Sequence, residues 1–345
     1  MPKIIKKQSF ASAIKAGKGK ENTVPHLIVK ARAGTGKTST LIEGLKIIRG
    51  VKSDHEAAKH PSEQQTAIYG SMCRSDEAVN INFVAFNKSI ADELKRRVPD
   101  GIDAMTSHGL GLRAVRNAFG NLQEPNQQRN QNILAELMGW DIWKLRREQP
   151  ILLKAVDDLA DLCKQNLIDG DNPDEMLALA EHFDIDLGAK GSDVFDWVPQ
   201  VLERCHDVQR DGYISFTDMI WLPYTLDLAV PTYDLLLVDE MQDLNRCQQY
   251  LVKKAGKRLI MVGDDRQAIY GFAGADSRSM ERMYEELSAT EVGCEELTLN
   301  YTRRCGKAIV REANKYVPDF YAFDTNPEGM IGEASFEGED CYRAW

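Results

Sequence analysis

The chain is expected to be α/β, a doubly wound lobe built on a parallel sheet, and three observations lead there. Short apolar runs at 26–31, 80–86, 235–238 and 259–262 have the length of buried strands. Stretches of helical periodicity separate them, the alternation that builds parallel sheets. The first run leads straight into Ala31-Arg32-Ala33-Gly34-Thr35-Gly36-Lys37-Thr38, a glycine-rich turn between a strand and a helix.

Taken in order, residues 5–16 read as a short helix, and Pro25 punctuates the chain before the strand at 26–31. Residues 39–48 supply the helix that the glycine-rich turn opens. The polar stretch 51–62 reads as a loop, followed by a helix near 63–72. A second strand at 80–86 precedes an amphipathic helix at 89–98, which Pro99-Asp100-Gly101 stops. Residues 105–119 begin as a strand end and continue as a helix. From 121 to 210, Leu, Ala, Gln and acids recur at helical spacing with few β-branched runs, so this block reads as an all-helical insertion. The resulting division is 1–120 for the first part of the lobe, 121–210 for the insertion, 211–278 for the rest of the lobe, and 279–345 for the start of a second lobe. In such folds ligands sit at the carboxyl ends of the strands.

Bulk properties narrow the class. At 345 residues the chain exceeds one small domain, and 43% hydrophobic with 28% charged residues is ordinary globular composition. A net charge of −10 argues against coating nucleic acid by sheer basicity but leaves a local basic groove open. The seven cysteines (73, 163, 205, 247, 294, 305 and 341) form no C-x-x-C pair and no His/Cys cluster at metal spacing. Their odd number in a chain of this size points to free thiols and a cytoplasmic setting. No apolar run reaches the roughly 18 to 20 residues that span a bilayer, so no membrane partner is expected. Lys3, Lys6, Lys7, Lys15, Lys18 and Lys20 precede the first acid, Glu21, without the apolar core of a signal peptide. They read as a solvated basic helix face.

The chemistry-bearing residues begin in the turn. Ala33, Gly34, Thr35, Gly36, Lys37, Thr38 and Ser39 form a candidate phosphate cradle, although Ala31 stands where the strict pattern has glycine. Gly34 and Gly36 let backbone N–H groups face phosphate oxygens, and the helix start adds partial positive charge. Lys37 is placed to reach the β- and γ-phosphates of ATP, and Thr38 to offer its hydroxyl to Mg²⁺. Far downstream an apolar strand ends in Asp239-Glu240. Asp239 suits holding Mg²⁺ through water and Glu240 suits polarising an attacking water. The competing reading is an acid pair that caps the next helix; Gln242 and Asp243 beside it weigh against that. Gln267 follows the next strand within reach of a γ-phosphate. Tyr270 and Phe272 lie in a glycine-rich loop, where they offer stacking platforms for unpaired bases.

Asp239-Glu240-Met241-Gln242-Asp243 matches D-E-x-Q-D, and residues 263–272 match G-D-x-x-Q-x-I-Y-x-F. On these motifs the chain resembles superfamily 1 DNA helicases of the UvrD/Rep type over most of 25–120 and 210–315. The resemblance implies a RecA-like phosphate-loop lobe with a helical insertion. It also implies ATP-driven 3′-to-5′ movement on single-stranded DNA or a single-/double-strand junction, in DNA repair or replication. By the same resemblance Phe86, Asn87 and Lys88 form one single-strand contact element, and Thr106 with His108 the next. A satisfied strand-end histidine is the alternative for His108. Residues 214–220 resemble the segment before the acidic motif and carry no catalytic role. Arg304 matches the γ-phosphate-contacting arginine, with Arg303 as runner-up.

Some positions depart from the family pattern. The adenine-reading glutamine has two imperfect candidates, Gln8 and the stretch 61–68, and Ala273 stands where the family often has arginine. The family's later motifs find no counterpart before Trp345. The expectation is therefore an N-terminal portion, a truncated product or one piece of a split enzyme, with a partner polypeptide supplying the missing second-lobe motifs. Two other readings stay open: a non-catalytic ATP- and DNA-binding module, and a different phosphate-loop ATPase.

Overall fold

The computed structural model describes residues 24–188, 191–267 and 278–332. Six parallel strands form its main sheet: β1 (His26–Ala31), β2 (Ile81–Ala85), β3 (Asp103–Thr106), β4 (Tyr233–Val238), β5 (Gly256–Gly263) and β6 (Cys294–Leu299). Their spatial order is β3-β2-β4-β5-β1-β6, so β4 and β5 slot between strands that precede them in the chain. Four of these strands are covered on both faces, which is why they read as nearly unbroken apolar runs. Alternation still decides which core each residue enters. Leu27, Val29, Leu235 and Leu237 join the core shared with the helix Lys37–Ile48, whereas Ile28, Leu236 and Val238 face the core shared with the helices that follow β3. The fold is α/β, as the alternation of elements implied, and RecA-like, as the resemblance implied.

Between β3 and β4 the described chain is helical. The long helix Pro150–Asn166 buries Leu152, Val156, Leu159 and Cys163 on one stripe, against Arg129–Leu137, Pro173–His182 and Gly191–Arg204. Beneath that stripe lies a buried ionic cluster. Asp218 accepts hydrogen bonds from Lys164 Nζ at 2.8 Å and Arg129 Nη1 at 2.7 Å, and all three side chains are fully buried. Arg129 also reaches Asp211 at 2.8 Å and the Cys205 carbonyl at 2.9 Å. The Ser215 N–H donates to Asp218 at 2.8 Å in a capping box that starts the helix Phe216–Thr225. Asp218 thus ties two insertion helices, Arg129–Leu137 and Pro150–Asn166, to the helix Phe216–Thr225. Its segment, given no catalytic role from sequence, has a structural one.

One expectation is corrected. Residues 51–62 are not wholly loop: Glu56–Lys59 forms one helical turn, because His55 Nδ1 accepts the Ala57 N–H at 3.2 Å and caps it. The main sheet continues past 278. Helix Ser279–Ser288 leads into β6, which pairs with β1 along its whole length. As an edge strand β6 keeps Glu295 and Glu296 half exposed, with Glu296 on Lys30 at 2.7 Å, so it lacks the apolar run by which strands are recognised. Past it, β7 (Tyr301–Thr302) and β8 (Tyr321–Ala322) form a small separate pair. Among the described residues no helix is long and apolar enough to cross a membrane.

Candidate nucleotide site

Because all six strands run the same way, the segments that leave their carboxyl ends share one edge of the sheet. That edge carries the turn after β1, Phe86-Asn87-Lys88 after β2, Thr106 and His108 at the end of β3, Asp239-Glu240 after β4 and Asp264–Gln267 after β5. The sequence scattered them; sheet order brings them together.

In the turn, Gly34 (φ +66°) and Gly36 (φ +83°) take the left-handed conformation. Gly36 is the N-cap of Lys37–Ile48 and brings no side chain to it, so the first amides of that helix point into the cradle. Thr35 Oγ1 bonds the Arg32 carbonyl at 2.8 Å and tightens the loop. Lys37 Nζ pairs with the Glu240 carboxylate, and the Thr38 hydroxyl donates to Asp239. Glu240 itself has φ +51°, strained for a residue with a side chain, and its N–H bonds Asp239 Oδ1 at 3.0 Å. The acids do not cap the following helix; Asn245 does.

Burial, with the charge of Glu240 second, pushes the Asp239 carboxyl up to about 6. The same two causes push Asp243 up to about 6, and its Oδ1 is buried without a hydrogen-bond partner. Gln242 Nε2 donates to both Glu240 and Asp243 at 3.0 Å, while its Oε1 accepts the Asp264 N–H at 3.1 Å. Gln267 Nε2 in turn donates to Asp264 Oδ2 at 2.8 Å. Lys37, Glu240, Gln242, Asp264 and Gln267 therefore form one hydrogen-bonded series.

The two candidate arginines part company. Arg304 lies over the phosphate loop, its Cβ 2.9 Å from where a Cβ on Gly34 would be. Arg303 turns away, to the His60 carbonyl at 3.0 Å and over the Phe323 ring. Gln64 and Gln65, in the stretch weighed for adenine reading, are already engaged. Gln64 bonds Asn300 Oδ1 at 2.7 Å, and Gln65 closes the Ser62 capping box and donates to Thr40 at 3.1 Å.

Along the same edge Asn87 caps the helix Lys88–Arg97 through the Ile90 N–H at 2.9 Å, leaving Lys88 exposed at its start. Thr106 Oγ1 accepts the Gly109 N–H at 3.1 Å and caps Ser107–Phe119. Phe86 and His108 are half-buried, and burial lowers the His108 pKa, which favours the neutral ring. Tyr270 and Phe272 lie outside the described residues, as do Ala273, Gln8 and the helix expected at 5–16.

Sequence reasoning passed over Arg32, Asp264, Thr302 and Asp319. Thr302 Oγ1 bonds the Gly34 carbonyl at 3.0 Å and so joins the loop to β7. Arg32 is a long cation inside a glycine-rich loop, and that misfit is its signal in the sequence.

The chain is similar to known proteins. The UvrD/REP helicase N-terminal domain model matches residues 16–288. The chain is 25% identical over 324 residues to the ATP-dependent DNA helicase PcrA of Staphylococcus epidermidis, covering 88% of this chain and 39% of that protein. It is 25% identical over 338 residues to DNA helicase II of Escherichia coli, covering 89% and 39%. It is 24% identical over 318 residues to F-box DNA helicase protein 1 of Schizosaccharomyces pombe, covering 84% and 30%. The chain thus spans about two fifths or less of the length of these relatives. With the phosphate loop, the acid pair and the downstream glutamine on one sheet edge and the family model spanning most of the sequence, this chain belongs to the UvrD/REP helicase N-terminal domain family.

Proposed function

We propose that this chain forms the ATP-hydrolysing lobe of a motor that moves 3′ to 5′ along single-stranded DNA. The observation that carries the reading is the pairing of Lys37 with Glu240 and of Thr38 with Asp239, in register with Gln267 through Gln242 and Asp264. In this reading the helices of 121–210 flank the lobe, and the residues after β6 open a second one.

The donors fit Mg²⁺. A hydroxyl and a carboxylate whose pKa is raised by burial and by the charge of Glu240 are hard oxygen ligands, and the orphaned Asp243 Oδ1 adds an acceptor nearby. Among the described residues no three His, Cys, Asp or Glu side chains cluster as a metal site, and Mg²⁺ at a phosphate needs only one or two carboxylates. When bound with ATP it would neutralise charge on the β- and γ-phosphates. The chain's own groups do the rest. Lys37 exchanges Glu240 for phosphate oxygens as the nucleotide enters. Glu240, released, orients a water and takes its proton as the water oxygen bonds the γ-phosphorus and the bond to the β-γ bridging oxygen breaks. Gln267 turns toward the γ-phosphate, and Arg304, packed on Gly34, meets its charge. Phe86, Asn87, Lys88, Thr106 and His108, with Tyr270 and Phe272, form the DNA track.

ATP turnover measured with and without single-stranded DNA tests this. Stimulation that disappears in Lys37→Ala and in Glu240→Gln supports the motor; no stimulation sinks it. Nucleotide affinity with no turnover under saturating DNA would instead select a binding module.

A further inference from the structure

Arg32 occupies a place where a loop built to approach phosphate has little room for a long side chain. Its backbone N–H extends the β1–β6 ladder to the Leu299 carbonyl at 2.9 Å, which aims the side chain away from the cradle. The guanidinium is buried and joins three carboxylates. Nη1 donates to Asp264 at 3.2 Å and to Asp265, while Nε and Nη2 take both oxygens of Asp319, Nη2 at 2.7 Å. Burial works against the charge, but Asp319 and Asp265 outweigh it and raise the pKa, so Arg32 stays a cation. Asp264 accepts Arg32 and the Arg266 N–H, at 3.1 Å, on Oδ1, and Gln267 on Oδ2. Asp319 lies between β7 and β8, beyond the six-stranded sheet.

We propose that Arg32 is a positioning residue: through Asp264 it sets the γ-phosphate response of Gln267, and through Asp319 it passes that response to residues 300–326. The inference rests on the nucleotide-site reading above. When Gln267 turns to a γ-phosphate, the buried Asp264 loses a donor, and an unsatisfied buried carboxylate is costly. Arg32 is the donor at hand. It compensates by drawing closer to Asp264 and loosening from Asp319, whose side chain is 46% exposed and can accept water instead. ADP, without that phosphate, leaves the bridge as it stands. The bridge therefore reports which nucleotide is bound across a sequence separation of 287 residues.

The test uses the full chain and its affinities for ADP and for a non-hydrolysable ATP analogue, with backbone amide exchange read over 300–326. Arg32→Ala is expected to reduce the preference for the ATP analogue on the order of tenfold, the size of one hydrogen bond to a charged group, with ADP affinity unchanged. Asp319→Asn, at a half-exposed position the fold tolerates, is expected to keep the preference and abolish the ATP-specific change in exchange over 300–326. Equal loss for both nucleotides in Arg32→Ala overturns the proposal, as does an exchange response that survives Asp319→Asn or is absent from the unaltered chain. Lys37→Ala separates the two levels. If it binds both nucleotides like the unaltered chain, the nucleotide site itself is wrong, whatever Arg32 does.

Discussion

Arg304 closes over Gly34. A Cβ on that glycine would meet Arg304 Cβ and Thr302 Oγ1, each at 2.9 Å, and Thr302 also bonds the Gly34 carbonyl. The turn after β1 and the segment after β6 are thus fitted to each other at one residue. A nucleotide held there would have charged groups from both ends of the chain around it.

Gly34→Ala should therefore be damaging twice over. The left-handed φ of +66° strains any side chain, and the contact forces Arg304 aside. We expect a loss of about 1–3 kcal/mol in urea unfolding together with weaker nucleotide binding. Unchanged stability would mean that the close approach is not maintained in solution.

Asp239 makes a prediction of the opposite sign. Its folded pKa of about 6 lies above the ordinary 3.8, so the folded chain binds that proton more tightly than the unfolded chain. Ionising it costs nothing below about pH 4, progressively more up to about pH 6, and the full amount above. Asp239→Asn should stabilise the nucleotide-free protein at pH 7 by on the order of 1–3 kcal/mol and give no gain at pH 4, while ending turnover. Thermal melts at the two pH values check this; a variant equally stabilised at both would refute the assignment.

Asp218 behaves the other way. Burial would raise its pKa, but Lys164 and Arg129 outweigh burial and hold the carboxyl well below the usual range. Its contribution to stability is present above about pH 4 and lost as pH falls through the depressed folded value. Asp218→Asn leaves two buried cations facing each other and should cost about 3–5 kcal/mol. Denaturant midpoints of variant and parent, compared at neutral pH, decide the matter. A loss under about 1 kcal/mol would show the cluster to be dispensable.

Lys88, exposed at the start of its helix beside the Asn87 cap, is the simplest probe of the DNA track. Lys88→Ala should weaken single-stranded DNA binding alike for all sequences and lower the salt dependence by about 0.7 in log–log slope, one phosphate contact. Nucleotide affinity should not move. A slope identical to the parent's would take Lys88 off the track.

The parts legible without coordinates are those set over a few residues. A glycine-rich turn between a strand and a helix, a strand ending in paired acids and the 3.6-residue stripe of Pro150–Asn166 each follow from local sterics and burial, so neighbouring residues suffice to announce them. Other features depend on partners far along the chain. β6 shows too little apolar alternation to declare itself and becomes a strand because β1 offers it a free edge. Arg32 looks like an intruder in its loop until Asp264, Asp265 and Asp319 surround it, and Asp218 looks like an ordinary helix-start acid until Lys164 and Arg129 arrive. Arg303 and Arg304 stand side by side in the chain, and only their surroundings turn one to His60 and the other to Gly34. The reason is common to all of these. A charge in water gains little from any one neighbour, and its role is assigned when burial removes the water and leaves it whichever partners the sheet order has delivered.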